Sequence, residues 1–84
     1  MQTTFNILVI EDDPDGRRSV TDALESAGHR VVAAADGAAG LAELNGGEFD
    51  LVLSDVRLPD ISGLEVLERI HRRMPELPVL LMTA

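Results

Sequence analysis

The 84-residue sequence contains no cysteine, no tryptophan and no tyrosine, and phenylalanine occurs only twice. The lack of cysteine excludes disulfides, thiolate metal sites and a cysteine nucleophile. The shortage of aromatic rings argues against a surface that stacks the bases of single-stranded nucleic acid. Basic residues are also few, with 7 Lys and Arg against 15 Asp and Glu, which gives a formal charge of −8. This charge repels nucleic-acid backbones and anionic lipid, and it favours a cation or a basic protein as a partner.

The sequence also lacks an apolar run long enough to cross a bilayer, and no signal peptide opens the chain. We therefore expect a soluble cytoplasmic protein that binds neither a membrane nor nucleic acid directly. Apolar residues make up 45% of the chain, which is typical of a globular domain and not of a disordered tail. A chain of 84 residues can form at most one small domain, whose core is only marginally stable.

Four short apolar runs, rich in Val, Ile and Leu, predict strands. They cover residues 5–10, 30–34, 50–54 and 78–83. Because their apolar residues are nearly continuous and do not alternate with polar ones, we expect strands that are buried on both faces of a parallel sheet.

A first helical pattern follows the first run. Asp13 is its candidate N-cap, Pro14 takes the first helical position, and Gly28 ends it. Four residues at helical spacing give this helix one apolar face: Val20, Ala23, Leu24 and Ala27.

Two further helical patterns lie between the later runs. The second covers residues 37–44 after Asp36 as its cap, although its two internal glycines weaken its helical propensity. The third begins with the capping-box spacing of Ser62 and Glu65 and ends before Pro75. Its inward-facing residues are Val66, Leu67, Ile70 and Met74.

The order of these elements is strand then helix three times, followed by a fourth strand. Crossovers through helices predict parallel strands and an open, doubly wound α/β sheet in a single domain over residues 1–84. Because the sequence stops directly after the fourth strand, we expect an incomplete domain that lacks its last third. Such a sheet has an unpaired edge and an uncovered apolar face. We therefore expect the chain to form a homodimer, to exchange elements with a second copy, or to need further chain.

Acidic residues collect at the carboxyl ends of the predicted strands, where open parallel sheets bind their ligands. Glu11, Asp12 and Asp13 follow the first strand, Asp55 follows the third and Thr83 closes the fourth. If the first and third strands are adjacent, the carboxylates repel each other unless their pKa values rise or a cation lies between them. Hard oxygen ligands suit Mg²⁺ or Mn²⁺. Asp55 has no helix of its own to cap. Aspartate is a known covalent acceptor in phosphoryl chemistry when a divalent cation neutralises the charge on both groups, so Asp55 is a candidate acceptor of a phosphoryl group.

Several other polar residues have simpler explanations. Asp13 and Asp15 suit the start of the first helix, and Asp36 and Ser62 suit the caps of the others. Thr83 alone would be an ordinary strand residue, and its interest lies in its pairing with Asp55. Three arginines of the third helix form one exposed face or a minor docking patch: Arg69, Arg72 and Arg73.

Three segments resemble the response-regulator receiver domain of bacterial two-component systems. Residues 7–14 read ILVIEDDP, residues 51–59 read LVLSDVRLP and are followed by Gly63 and Leu64, and residues 78–84 read PVLLMTA. Their order and spacing agree with that family over the whole chain, and the last two segments are closest to receivers of transcriptional activators. The resemblance implies an incomplete flavodoxin-like receiver fold. It also implies that the chain is a phosphoacceptor module and not an enzyme. Such a module at most catalyses its own phosphorylation and dephosphorylation.

The resemblance also implies a role for each matched residue. Asp55 is the phosphoacceptor and takes part in binding Mg²⁺ (or Mn²⁺). Asp12 is the more direct metal ligand, whereas Glu11 acts largely through water. The backbone carbonyl of Arg57 completes the metal shell.

At the end of the fourth strand, the resemblance implies that Thr83 supplies the switch hydroxyl and that the backbone amide of Ala84 helps to hold the phosphoryl group. The family's fifth-strand lysine and its aromatic partner of the threonine lie beyond Ala84. The implied partner is a histidine kinase or a histidine phosphotransfer protein.

Two alternatives remain open from the sequence. One is a degenerate or truncated receiver that acts only in protein interaction or dimerisation. The other is a Mg²⁺-dependent phosphatase with an aspartyl-phosphate intermediate, for which Asp13 and Asp15 have a suitable spacing; turnover of a phosphoester would favour it.

Overall fold

The structure, a computed structural model, describes residues 3–83. Its elements are β1 (Asn6–Ile10), α1 (Pro14–Ser26), β2 (Arg30–Ala34), α2 (Gly37–Gly46), β3 (Leu51–Asp55), α3 (Gly63–Arg73) and β4 (Val79–Met82). The strands form one parallel sheet in the order β2-β1-β3-β4. The predicted doubly wound sheet and its predicted elements are confirmed.

Each helix begins directly after the residue that the sequence predicts as its cap. The cap side chain accepts a hydrogen bond from a backbone amide in the first turn, at 2.9 Å for Asp13, 2.7 Å for Asp36 and 3.1 Å for Ser62. These bonds satisfy amides that have no partner within the helix. The caps therefore fix where the chain turns from the sheet into each helix.

Gly28 ends α1 by adopting a left-handed backbone conformation, with φ of 97°. In this conformation the Gly28 amide donates to the Glu25 carbonyl at 3.0 Å, and the His29 amide donates to the Leu24 carbonyl at 3.1 Å. The two bonds form a Schellman motif, which needs the freedom of glycine at this position. The chain then enters β2.

The central strand β1 carries most of the buried surface, and its last four residues are at most 2% exposed. Parallel partners face the same side of the sheet, so Leu8 and Val52 lie together under α2 and α3. These helices and strands enclose the main core, made of Leu8, Ile10, Leu44, Val52, Val66 and Ile70. On the opposite face α1 packs against β1 and β2 and contacts neither of the other helices. Within residues 3–83, each helix is too short or too polar to span a membrane.

The expectation that all four strands are buried on both faces is wrong for the edge strands. Val32 in β2 is 39% exposed and Leu80 in β4 is 55% exposed. Within residues 3–83 each edge strand has a neighbouring strand on one side only. On its face of the sheet, α1 packs against β1 and β2 and leaves the rest of that face uncovered. For the same reason Ala23 and Ala27 of the predicted apolar face of α1 are exposed.

Close packing explains the two internal glycines of α2. A Cβ atom at Gly40 would lie 2.3 Å from the Ile10 side chain, and one at Gly37 would lie 2.5 Å from the Ile61 side chain. Both glycines are buried. The two glycines lower the intrinsic helix propensity of α2, but they allow it to pack directly against β1 and the loop after β3.

Candidate functional site

Three acidic residues converge where β1 and β3 end side by side. Glu11 and Asp12 follow β1, and Asp55 is the last residue of β3. One carboxylate oxygen from each lies within 4.8 Å of the others. Asp55 is only 9% exposed, whereas Asp12 is open to solvent. The cluster therefore has a buried side and a side that a ligand can reach.

The electrostatics of the cluster are visible at Glu11. Partial burial raises the pKa of the Glu11 carboxyl, and the nearby Asp55 and Asp12 carboxyls raise it further. A hydrogen bond from the Asp13 amide to Glu11 Oε2, at 3.1 Å, opposes the rise. Carboxylates that crowd together in this way either retain a proton or hold a cation between them. Three hard oxygen donors with one open side fit Mg²⁺ or Mn²⁺, and Glu11, Asp12 and Asp55 are the side chains that could hold the ion.

Arg17 supports the turn that carries two of these acids. Its Nη1 donates to the backbone carbonyl of Glu11 at 2.9 Å and to that of Asp12 at 3.3 Å. These bonds go to the backbone and leave the carboxylate oxygens of the cluster available for a ligand. Arg17 lies in the first turn of α1, and its hydrogen bonds therefore stabilise the turn that follows β1.

Asp55 also lines a pocket of about 310 Å³ together with Val56, Arg57 and Thr83. The Arg57 amide lies 3.4 Å from Asp55 Oδ1, and the Val56 amide donates to the Met82 carbonyl at 3.0 Å. The second bond holds the loop after β3 against the end of β4. The pocket is thus lined by the Asp55 carboxylate, by the loop after β3 and by Thr83, the residue with the predicted switch hydroxyl.

The structure gathers most of the predicted site residues around the Asp55 carboxylate. The gathered residues are Glu11, Asp12, Asp55, Arg57 and Thr83. Asp13 lies beside the cluster with its side chain engaged as the cap of α1, as the sequence predicted. The predicted role of Ala84 falls outside the described residues.

Comparison with known proteins shows the family of this chain. The family model described as the response regulator receiver domain matches residues 7–84. The chain belongs to this family.

Two curated relatives of this receiver domain are transcriptional regulatory proteins. TcrA of Mycobacterium tuberculosis is 44% identical over 78 residues, which are 93% of this chain and 31% of that protein. FixJ of Bradyrhizobium diazoefficiens is 41% identical over 83 residues, which are 99% of this chain and 40% of that protein. The chain thus spans well under half the length of these relatives.

Solved receiver structures agree with the fold. The response regulator TrrA of Thermotoga maritima, in complex with Mg²⁺–BeF, has a TM-score of 0.91 and 34% identity. That match covers 94% of this chain and 69% of that one. The chemotaxis response regulator CheY4 of Vibrio cholerae has a TM-score of 0.89 and 31% identity, and it covers 94% of this chain and 68% of that one.

Sequence reasoning missed Asp60, which ties the loop after Asp55 to α2. Its two carboxylate oxygens accept hydrogen bonds from the amides of Gly37 at 2.9 Å and Ala38 at 2.8 Å. The same bonds lower the pKa of the Asp60 carboxyl. A proline-aspartate pair is typical of a turn. Nothing local in the sequence indicates a bond to a helix that begins 23 residues earlier.

The first residue of α3, Gly63, packs directly against the backbone of Asp55 and Val56. The Gly63 amide donates to the Val56 carbonyl at 2.8 Å. A Cβ atom at Gly63 would lie 2.2 Å from the Asp55 carbonyl oxygen and 2.9 Å from the Val56 Cα. Both neighbours are backbone atoms, so they cannot move aside as a side chain could.

Gly63→Ala is therefore expected to lower the free energy of unfolding by about 2 kcal/mol, because the new methyl group forces the backbone around Asp55 to move. Urea unfolding followed by circular dichroism measures the change. Gly46→Ala is the matched control: a Cβ there meets nothing within 4 Å, so we expect it to raise stability by about 0.5 kcal/mol through helix propensity. Equal effects of the two substitutions would contradict the close approach at Gly63.

The bonds at Asp60 predict a dependence of stability on pH. Because folding lowers the pKa of this carboxyl, its stabilising contribution is fully present above the ordinary range of aspartate, about pH 4. The contribution is lost as pH falls through the lower folded-state value. Asp60→Asn should therefore be less stable than the wild type at pH 7, and the difference should shrink on acidification. Urea midpoints between pH 7 and pH 3 test this expectation, with Asp22→Asn on the exposed side of α1 as the control. A difference that is constant with pH would refute it.

Proposed function

We propose that this receiver domain is a phosphoryl-accepting switch of a two-component system. In this proposal a histidine kinase or a histidine phosphotransfer protein loads Asp55 in a Mg²⁺-dependent reaction. The observation that carries the proposal is the convergence of Glu11, Asp12 and Asp55 at the carboxyl end of the sheet, with one oxygen from each within 4.8 Å of the others. Membership of the family supports it, since receiver domains of response regulators are signalling modules and not ordinary enzymes.

The residues of the chain have distinct tasks in the proposed reaction. When bound, Mg²⁺ (or Mn²⁺) would offset the negative charge of both the acidic cluster and the incoming phosphoryl group. Asp55 supplies the oxygen that forms the new O–P bond while the N–P bond to the partner's histidine breaks and that nitrogen regains a proton. Glu11 and Asp12 would hold the ion beside Asp55, together with the Arg57 carbonyl. The crystal structure of TrrA in complex with Mg²⁺–BeF supports the choice of ion.

The end of β4 completes the proposed switch. The Thr83 hydroxyl donates a hydrogen bond to a phosphoryl oxygen, and the Ala84 amide donates another. Thr83 lines the same pocket as Asp55, which supports its part in this proposal.

The relatives support a place for this chain within a larger regulator. TcrA and FixJ are transcriptional regulatory proteins of which the matched part covers 31% and 40%. We propose that this domain is the input module of such a cytoplasmic transcription regulator. The phosphatase alternative is not favoured, because the Asp13 side chain caps α1 and the acidic cluster is formed by Glu11, Asp12 and Asp55.

The deciding experiment is the intact mass of the protein after incubation with Mg²⁺ and acetyl phosphate. We expect the gain of one phosphoryl group, which hydroxylamine removes because it is an acyl phosphate on Asp55. The gain should be absent from Asp55→Asn and from a sample treated with a chelator. A folded sample that gains no mass with Mg²⁺ present would contradict the proposed switch and favour a module that acts only through protein contacts.

The metal assignment is tested separately by thermal unfolding with and without Mg²⁺. An ion that binds only the folded state should stabilise the wild type, by about 2.7 kcal/mol at a concentration 100 times its Kd. We expect Asp12→Asn to lose most of this gain, because it removes one charge from the ligand set. Asp13→Asn should keep the gain, since asparagine caps a helix as well as aspartate does. Equal loss in both variants would point to diffuse attraction by the acidic turn and against a defined site.

A further inference from the structure

A groove runs along the surface between α2 and α3, away from the acidic cluster. It encloses about 500 Å³, and most of its lining is apolar. The α2 wall presents the small exposed side chains of Ala38 and Ala42, and the more buried Leu41 and Met74 form the apolar floor of the groove. Small residues on one wall let another chain approach the helix backbone closely. The groove therefore has the shape and the floor to receive bulky apolar side chains.

The other wall of the groove is basic, although the chain as a whole is strongly acidic. Arg69, Arg72 and Arg73 of α3 line it. They are three of only 7 basic residues in a chain with a formal charge of −8. Arg69 is paired with Glu65, and Arg73 donates to Asn45 Oδ1 at 3.0 Å across the groove. Within residues 3–83, Arg72 makes no side-chain hydrogen bond or ion pair.

Helix electrostatics explain only part of this arrangement. Cations in the last turn of a helix are favoured by its dipole, and α3 ends with His71, Arg72 and Arg73. That effect falls off within one turn and does not depend on the direction in which a side chain points. It therefore accounts neither for Arg69, which lies a turn earlier, nor for the clustering of the three arginines on the groove.

The combination of an apolar floor and a basic rim selects one kind of occupant. An amphipathic helix places apolar side chains in a groove at intervals of three and four residues and presents polar residues at its sides. Here those flanking residues must be acidic to meet Arg72 and Arg73, because Arg69 is already paired with Glu65. An anionic membrane or a nucleic acid fits less well, because neither a flat bilayer surface nor a phosphate backbone places apolar side chains in a groove whose lining is mostly apolar.

We infer that the groove between α2 and α3 is a docking site for an acidic amphipathic helix of a partner protein. Apolar anchors of that helix lie over Leu41 and Met74, and its carboxylates pair with Arg72 and Arg73. This surface is separate from the Asp55 pocket, with which it shares no lining residue.

The test uses the whole chain and a fluorescein-labelled 18-residue helical peptide with leucines on one face and glutamates on the other. Fluorescence anisotropy should show saturable binding that weakens with salt. A peptide with serines in place of the leucines should bind at least tenfold more weakly, because only the first can occupy the apolar floor. In ¹⁵N-labelled protein, the resonances that shift should lie in α2 and α3 and not around Asp55.

Two pairs of variants separate the groove from general electrostatics. Arg72→Glu should weaken binding about tenfold, which corresponds to the loss of one close charge pair. Arg30→Glu, on the exposed edge strand β2, makes the same change in net charge and should leave the affinity within about twofold. Ala42→Trp should block the groove without changing charge, whereas Ala23→Trp on the exposed face of α1 should not. Circular dichroism checks that each variant is folded.

Three results would overturn the inference. The first is a lack of saturable binding by the leucine-glutamate peptide. The second is an equal effect of Arg72→Glu and Arg30→Glu. The third is a dimer in sedimentation that Ala42→Trp abolishes, because the groove would then receive a second copy of this chain and not a partner helix.

Discussion

The parallel pairing of β1 with β3 is the constraint on which the rest of this domain depends. It sets Ile10 beside Ser54, so the residues that follow each strand emerge at the same point. Glu11 and Asp12 are thereby placed against Asp55, and the pKa of Glu11 is raised by its partial burial and further by these two neighbouring carboxyls. A sheet that placed β2 between these strands would separate the acids and relieve the repulsion. The fold therefore holds together charges that favour separation, which is how a protein prepares a cation site before the cation arrives.

The sequence predicts most of this fold because its signals are local. Caps such as Asp13 and Ser62 accept hydrogen bonds from amides in the following turn, and Gly28 ends the helix directly before it. The candidate site is predictable for a related reason. In a parallel sheet, carboxyl ends meet at one edge, so an acid after one apolar strand can be placed near an acid after another once the strand order is known.

What the sequence does not predict depends on contacts between distant segments. The exposure of Val32 and Leu80 follows from their place at the edges of the sheet, which the apolar character of each strand does not reveal. The glycines of α2 weaken the helix locally, and only the packed positions of Ile10 and Ile61 explain them. The role of Asp60 is of the same kind, since its partners belong to a helix that precedes it in the chain.

The two acids at the start of α2 come from different parts of the chain. Asp36 belongs to the helix itself, whereas Asp60 reaches it from the loop that follows the candidate acceptor. The first turn of α2 and that loop therefore share hydrogen bonds, and neither can open while the other keeps its bonds. Local opening of either segment therefore breaks hydrogen bonds of the other, which couples the two. The segment beside Asp55 is thereby attached to a helix end and is not a free loop.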